Sequence, residues 1–344
     1  MRQFACILVT GGAGFIGSNF IRYILGLPDF HGKVVNLDAL TYAGNLENLA
    51  DIDARYGGSR YVFTRRDICD RSAVEEIFAE HAPEAVAHCA AESHVDRSIA
   101  RPEAIIRTNV LGTFTLLDVA SRAWTGTGGK LFHHVSTDEV YGSLGPEGKF
   151  TEETRYDPRS PYSASKAASD HLVMAWHSTY GLPVTITNCS NNYGPYQFPE
   201  KLMPLMILNM LEGTALPVYG DGKNIRDWLH VGDHASAVWK VMTEGRIGQK
   251  YNVGGGHQWE NVRLVRALCA AVARQTGASP AEYERLITFV SDRPGHDRRY
   301  AVDSSKIEQE LGWKPSVLFE EGLERTVRWY IEHREWVDHA RSAG

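Results

Sequence analysis

The sequence predicts an α/β protein built on a Rossmann-type, doubly wound parallel sheet with a smaller C-terminal substrate-binding lobe. Three observations carry that expectation. Short apolar runs alternate with amphipathic stretches through the first half, a glycine-rich Gly11-Gly12-Ala13-Gly14-Phe15-Ile16-Gly17 follows the first run, and the pattern loosens after about residue 181. Parallel neighbours need crossover connections, usually helices, so this alternation places helices on both faces of one sheet.

Taken in order, Cys6 to Thr10, Lys33 to Asp38, Tyr61 to Thr64, Ala85 to His88 and Leu131 to Ser136 read as strands, with helical segments between most of them. The first helix is expected from near Ser18, and Val184 to Asn188 adds one more central strand. Pro195 to Pro204, the Gly220 to Gly222 turn and the Gly254-Gly255-Gly256 run predict elements packed over the edge of the sheet. Ser279-Pro280 and Lys314-Pro315 read as local turns and not as linkers. Leu323, Val327, Tyr330 and Ile331 recur at helical spacing, which core packing explains. The expected division is a cofactor-binding Rossmann part at 1–190, a substrate lobe at 191–337 with some segments returning to the first part, and a frayed tail at 338–344.

At 344 residues and 43% hydrophobic content the chain can bury a large core. Its net charge of −6 is spread along the chain without a long basic run, which gives no support to a nucleic-acid or membrane-surface role. Arg298-Arg299 is a local candidate for an anion. The five cysteines are odd in number and never form a CxxC pair, so reduced thiols and a cytoplasmic setting are expected. No run approaches the roughly 18 apolar residues of a membrane span, and no long apolar leader follows Met1. No metal is expected either. His230 and His234 have i, i+4 spacing, but Asp227-Trp228-Leu229 is strand-like and Gly232 intervenes, while His133 and His134 alternate across a strand.

A strand, a GxxGxxG run and an apolar helix form the setting of a dinucleotide fingerprint. Gly11, Gly14 and Gly17 would serve a tight turn, close approach of backbone to pyrophosphate, and packing of helix on strand. Asp38 ends the second strand about 20 residues further on, where a carboxylate accepts hydrogen bonds from the adenosine ribose. A carboxylate there repels a 2′-phosphate, and no arginine follows in Ala39-Leu40-Thr41-Tyr42, so NAD is favoured over NADP. Asp67-Ile68 closes the third strand and is either an adenine contact or a simple cap.

Tyr162 and Lys166 lie one turn apart on an expected helix, about 6 Å along its axis. An ammonium near a phenol favours the phenolate and draws its pKa from about 10 toward neutrality, which makes Tyr162 a candidate base. YxxxK spacing arises readily by chance, so the context decides. Ser136-Thr137 ends an apolar strand at the carboxyl edge of the sheet, where Thr137 can bond the same substrate oxygen.

The Gly11 to Gly17 fingerprint, the Ser/Thr-Tyr-Lys set and the length resemble the extended short-chain dehydrogenase/reductase family, which acts on nucleotide sugars. Within it, five segments resemble the dTDP-glucose 4,6-dehydratases: Leu37 to Asn45, Ala90 to Ser98, Ser136 to Gly142, Asn188 to Pro195 and Asp292 to Asp297. The resemblance extends over nearly the whole chain. Asp138-Glu139 is its most specific part, since related epimerases usually carry small or apolar residues there. Ala39 departs from the lysine of many members, removing one contact near the ribose.

The resemblance implies a lyase that turns dTDP-glucose into dTDP-4-keto-6-deoxyglucose and water, with a tightly held NAD recycled in each turnover. Tyr162, with Thr137 and Lys166, takes the C4 hydroxyl proton as hydride leaves C4; Glu139 removes the C5 proton, and Asp138 protonates the departing C6 hydroxyl. That requires Asp138 protonated while Glu139 is ionised, a split that burial and mutual repulsion produce. Glu75-Glu76 and Glu320-Glu321 lack this strand-end setting and read as solvated helix faces. Around NAD the resemblance adds Phe15, Ile16, Ala39, Leu40, Thr41, Cys89, Ala90, Ala91, Ser93, Thr108 and Asn192. Around the nucleotide sugar it implies Ser93, Thr137, Asn191, Lys201, Leu202, Pro217, Val218, Tyr219, Asn261, Asp292 and His296, with Arg226 and Arg293 clamping the diphosphate. It also implies a homodimer through helices around 101–123 and 161–180. The alternatives are an NAD-dependent nucleotide-sugar 4-epimerase, which has no use for Asp138-Glu139, and a non-catalytic NAD or sugar-nucleotide module, which has no need of Thr137, Tyr162 and Lys166 together.

Overall fold

A computed structural model describes residues 1–343, and their side chains apart from those of 96, 97, 100 and 343. The Asp96-Arg97 side chains of the Ala90 to Ser98 segment and Gly344 of the expected tail thus lie outside the described residues.

The strands in chain order are β1 (Cys6–Thr10), β2 (Lys33–Asp38), β3 (Tyr61–Arg65), β4 (Ala85–His88), β5 (Leu131–Thr137), β6 (Val184–Cys189), β7 (Asn191–Tyr193), β8 (Leu216–Tyr219), β9 (Ile225–His230), β10 (Gln249–Val253), β11 (Gln258–Glu260) and β12 (Ile287–Val290). Seven form one sheet in the order β10-β6-β5-β4-β1-β2-β3, with every pairing parallel. Side chains alternate across each strand, and the two sets feed two separate cores. From β1, Ile7 and Val9 pack with Phe20, Ile21 and Ile24 of the helix Phe15–Gly26 and with Val238 and Met242 of the helix Val231–Glu244. Leu8 points the other way, to Val74 and Ile77 of the helix Arg71–His81, Leu116 and Leu117 of Thr113–Ala123, and Val173 of Pro161–Tyr180. Each of these fully buried aliphatic side chains contributes about 1.5–3 kcal/mol. Burial on both faces is why the strands read as continuous apolar runs.

Beyond β6 the chain builds a mixed sheet β11-β9-β7 and a parallel pair β8-β12, and sends β10 back to extend the main sheet beside β6. A separate core of Met206, Ile207, Leu268, Val272, Phe319, Leu323, Val327 and Tyr330 joins the helices Leu202–Glu212, Asn261–Thr276 and Phe319–Glu332. Two expectations need correction. The first helix starts at Phe15, three residues before Ser18, because Gly14 in extended conformation already serves as its N-cap. The expected frayed tail is instead the end of a helix, Arg334–Ala343, held by the buried Trp336, Val337 and Ala340.

Candidate active site

At the carboxyl edge of the sheet, β1 is flanked by β2 on one side and β4 on the other, so successive crossovers diverge and leave a crevice. Gly11 turns the chain out of β1 with φ +69°, and a Cβ there would lie 2.6 Å from the Ala90 Cα. A Cβ on Gly17 would lie 2.2 Å from the Gly11 carbonyl oxygen. Both positions therefore demand glycine. No side chain caps the helix that begins at Phe15. Its first turn lines a cavity of about 310 Å³ with backbone N–H groups suited to an anion.

Asp38 borders the same cavity. Its Oδ2 accepts from the Ala13 N–H at 2.9 Å and its Oδ1 from the Leu40 N–H at 2.8 Å, leaving each oxygen a further lone pair for a ribose hydroxyl. Of the residues expected around the cofactor, all but Leu40 line this cavity. Leu40, in the left-handed region at φ +54°, serves it through its N–H on Asp38. The residues fit a dinucleotide: an uncapped helix N-terminus for the pyrophosphate and a two-oxygen acceptor for the ribose.

The chemical residues stand at the far end of the cavity. Thr137 is the last residue of β5 and caps a short 3₁₀ turn, Asp138–Tyr141, by accepting from the Glu139 N–H at 3.3 Å. Its hydroxyl donates to Asp138 Oδ1 at 3.3 Å, while Asp138 Oδ2 is buried with no hydrogen-bond partner among the described residues. Burial pushes the Asp138 carboxyl well above the usual range, and the charges of Glu139 and Asp227 push it further. Burial also raises Glu139, but Arg293, Arg226 and Lys201 oppose the rise. Arg226 opposes the rise at both; Asp138 feels in addition the charges of Glu139 and Asp227, and Glu139 those of Arg293 and Lys201.

Tyr162 corrects the expectation from spacing. Burial raises its phenol well above the ordinary value, and Glu139, Cys189 and Asp138 add to the rise, against a hydrogen bond from Thr137. Lys166 is committed elsewhere, donating to the Val135 carbonyl at 2.8 Å and lying 3.3 Å from His134 Nε2. A pull toward neutrality must come from a positive charge brought into the cavity.

Behind these residues is a buried hub that spacing could have signalled, since Asp170 is one further turn along the Tyr162 and Lys166 face. Its Oδ2 accepts from Tyr156 at 2.7 Å, Ser136 at 2.9 Å and Asn188 at 3.1 Å, and its Oδ1 lies 3.3 Å from His134 Nε2. Burial lowers the Lys166 pKa and Asp170 is the main force raising it. Asp170→Asn keeps an acceptor for the three donors but removes the charge. The alkaline limb of the rate profile is expected to move down by about one pH unit as Lys166 loses its proton earlier. A pH–rate profile of the folded variant checks this; an unmoved limb would leave Asp170 a purely structural role.

A second cavity, about 250 Å³, opens from the first. Ser93, Glu139, Asn191, Asn192, Gln197 and Lys201 line both. Leu202, Pro217, Val218, Tyr219, Arg226, Asn261, Arg293 and His296 line the second. Thr137 lines the first cavity only, and Asp292 lines neither. Asp292 instead orients His296, its carboxylate 2.6 Å from Nδ1. Arg226 is buried over the Tyr300 ring, 4.2 Å from its centroid, and donates to the Asp297 carbonyl at 2.9 Å. Sequence reasoning missed Asp227, Gln197 and Tyr300, which come to the site from distant segments without a recognisable spacing. His230 ends β9 and caps the next helix, so it shares no helical face with His234, and no metal-binding cluster of three ligating side chains occurs among the described residues.

The family model for GDP-mannose 4,6 dehydratase matches residues 8–326. The dTDP-glucose 4,6-dehydratase 1 of Escherichia coli K12 is 53% identical over 98% of this chain and 95% of its own length. The chain belongs to this family of sugar-nucleotide 4,6-dehydratases. The dTDP-glucose 4,6-dehydratase of Neisseria meningitidis is 55% identical over 96% of this chain and 94% of its own length. A crystal structure of the Streptomyces venezuelae dTDP-glucose 4,6-dehydratase, with NAD and dTDP bound, superposes with a TM-score of 0.88 at 47% identity, covering 97% of this chain and 99% of that one. The Rossmann-like α/β fold is shared with these dehydratases.

Proposed function

We propose that this chain converts dTDP-glucose to dTDP-4-keto-6-deoxyglucose and water with a retained NAD. The observation that carries the reading is the Asp138-Glu139 pair, placed where the cofactor cavity meets a second, arginine-lined one, with Arg293, Arg226 and Lys201 opposing the rise at Glu139. When bound, NAD+ supplies a positive charge, a hydride acceptor for C4 and the same hydride for C6.

Every other task falls to the chain. The Phe15–Gly26 helix N-terminus and Asp38 hold the dinucleotide, and Arg226 and Arg293 hold the substrate diphosphate. Tyr162, as its phenolate, accepts the C4 hydroxyl proton once the added positive charge offsets its raised pKa. The resulting 4-ketone acidifies C5–H. Glu139, kept ionisable by Arg293, Arg226 and Lys201, takes that proton, and Asp138, kept protonated by burial and two neighbouring anions, delivers one to the C6 oxygen. The rate should therefore fall on the acid side as Glu139 becomes protonated, which a pH–rate profile checks. The proton on Glu139 exchanges with solvent before C5 is reprotonated from it, and the proton held by Tyr162 leaves to solvent as Asp138 regains one, which resets the site.

In this reading residues 1–190 form the main cofactor-binding part, 191–337 mainly hold the nucleotide sugar, and the protein acts in the cytoplasm as a homodimer. Exposed Ile106, Leu111 and Phe114, at 45%, 53% and 37%, support pairing through the 102–123 segment. No helix among the described residues is long and apolar enough to cross a membrane.

Incubating the purified protein with dTDP-glucose and no added nicotinamide tests the reading. A product lighter by one water, carrying one solvent deuterium at C5 when made in heavy water, is expected. An isomer of unchanged mass would mean epimerisation, and no turnover even with added NAD+ would return the binding-module alternative.

A further inference from the structure

The mouth of the cofactor cavity has two rims, and both are tied to the last two helices of the chain. The first rim, Ala39 to Gly44, runs from Asp38 to the 3₁₀ turn Leu46–Leu49. Within that turn Asn48, 1% exposed, donates through Nδ2 to the Ala13 carbonyl of the glycine loop at 2.8 Å, alongside the Asn45 N–H at 3.0 Å. The Oδ1 of Asn48 accepts from the Trp336 indole N–H at 2.8 Å, 288 residues away in sequence. One amide thereby joins the C-terminal helix to Ala13, the residue whose own N–H donates to Asp38.

The second rim is Pro195 to Phe198. Tyr196, in the left-handed region at φ +68°, packs edge-on against Trp329 at 4.8 Å and Trp336 at 5.9 Å. The Tyr330 hydroxyl donates to the Gln197 carbonyl, and Gln197 lines both cavities. Across the mouth the rims touch, Phe198 meeting Tyr42 edge to face at 5.6 Å, and both line the cofactor cavity.

We propose that the C-terminal helix pair, through Trp336 and Tyr330, is a latch that retains the dinucleotide by holding both rims of its cavity closed. Trp336 is a positioning residue: it does not line either cavity, and it acts through Asn48 on the glycine loop. Retention matters to a cofactor that is oxidised and reduced within one turnover, because escape between the two half-reactions would strand the ketone. The inference rests on the cofactor reading above. It adds that the rate of cofactor release is set by the C-terminal helices, far along the chain from the fingerprint.

The test is Trp336→Phe in the full-length protein, which keeps a packing ring and removes the N–H. NAD bound after purification is quantified by denaturation, and exchange of labelled NAD+ into the loaded protein is followed by mass spectrometry. Exchange about tenfold faster than in the unmodified protein is expected, the effect of one lost buried hydrogen bond whose acceptor is left unpaired. Trp124→Phe, which removes an indole hydrogen bond to the Pro83 carbonyl and touches neither rim, should exchange at nearly the unmodified rate. If Trp336→Phe does not fold, Tyr330→Phe reads the second rim in the same assay and should also exchange faster. Equal exchange rates in the folded variant and the unmodified protein would overturn the latch. Absence of retained NAD in the unmodified protein would instead overturn the cofactor reading, so the two failures are distinguishable.

Discussion

Glu139→Gln is expected to leave C4 oxidation intact while slowing water loss by about 10²–10⁴-fold, the usual contribution of a positioned base. Glutamine fills the same space, where the cations Arg293, Arg226 and Lys201 surround it, but has no lone pair basic enough for the C5 proton. Rapid mixing with dTDP-glucose should show reduced nicotinamide absorbance that builds and persists, while mass spectrometry finds little dehydrated product and little deuterium at C5. Dehydration at the ordinary rate would remove Glu139 from the base role. Asp138, the adjacent carboxyl group that lines the cofactor cavity, would then be the next candidate.

Tyr162→Phe should fail one step earlier. The phenol lines the cofactor cavity with Thr137, whereas Lys166 is occupied by the Val135 carbonyl and His134. No other base is therefore placed to take the C4 proton. Turnover is expected to fall about 10²–10⁴-fold without accumulation of reduced cofactor. The contrast between the variants separates the two half-reactions: a persistent absorbance in one, none in the other. Persistent absorbance in Tyr162→Phe would mean that Thr137 or a water accepts the first proton.

Local sequence carried much of this site, for a physical reason. The glycine loop, Asp38, Thr137-Asp138-Glu139 and the Tyr162/Lys166 pair are each set by a short stretch whose backbone geometry follows from its own residues: a turn only glycine permits, a strand end, one helix face. Electrostatics were not legible in the same way. Tyr162 was expected to drift toward neutrality on the strength of Lys166, yet burial raises its pKa, with Glu139, Cys189 and Asp138 adding to the rise, and the lysine is bonded to β5. The raised pKa of Asp138 comes first from burial and then from Glu139, with Asp227, a residue of β9 that no spacing connects to it, adding to both. Trp336 fell just before a segment expected to fray, and its bond to Asn48 spans almost the whole chain. Such contacts arise from tertiary packing, and periodicity within one helix does not reveal its partner.

The central claim is that adjacent unlike carboxyl groups convert a sugar-oxidising pocket into an eliminating one while the hydride stays within the site. The most direct measurement is turnover of dTDP-glucose carrying deuterium at C4, in ordinary water with no added nicotinamide. The account predicts a product lighter by one water that keeps the deuterium, now at C6. Deuterium lost to solvent, or a product of unchanged mass with the label still at C4, would contradict it.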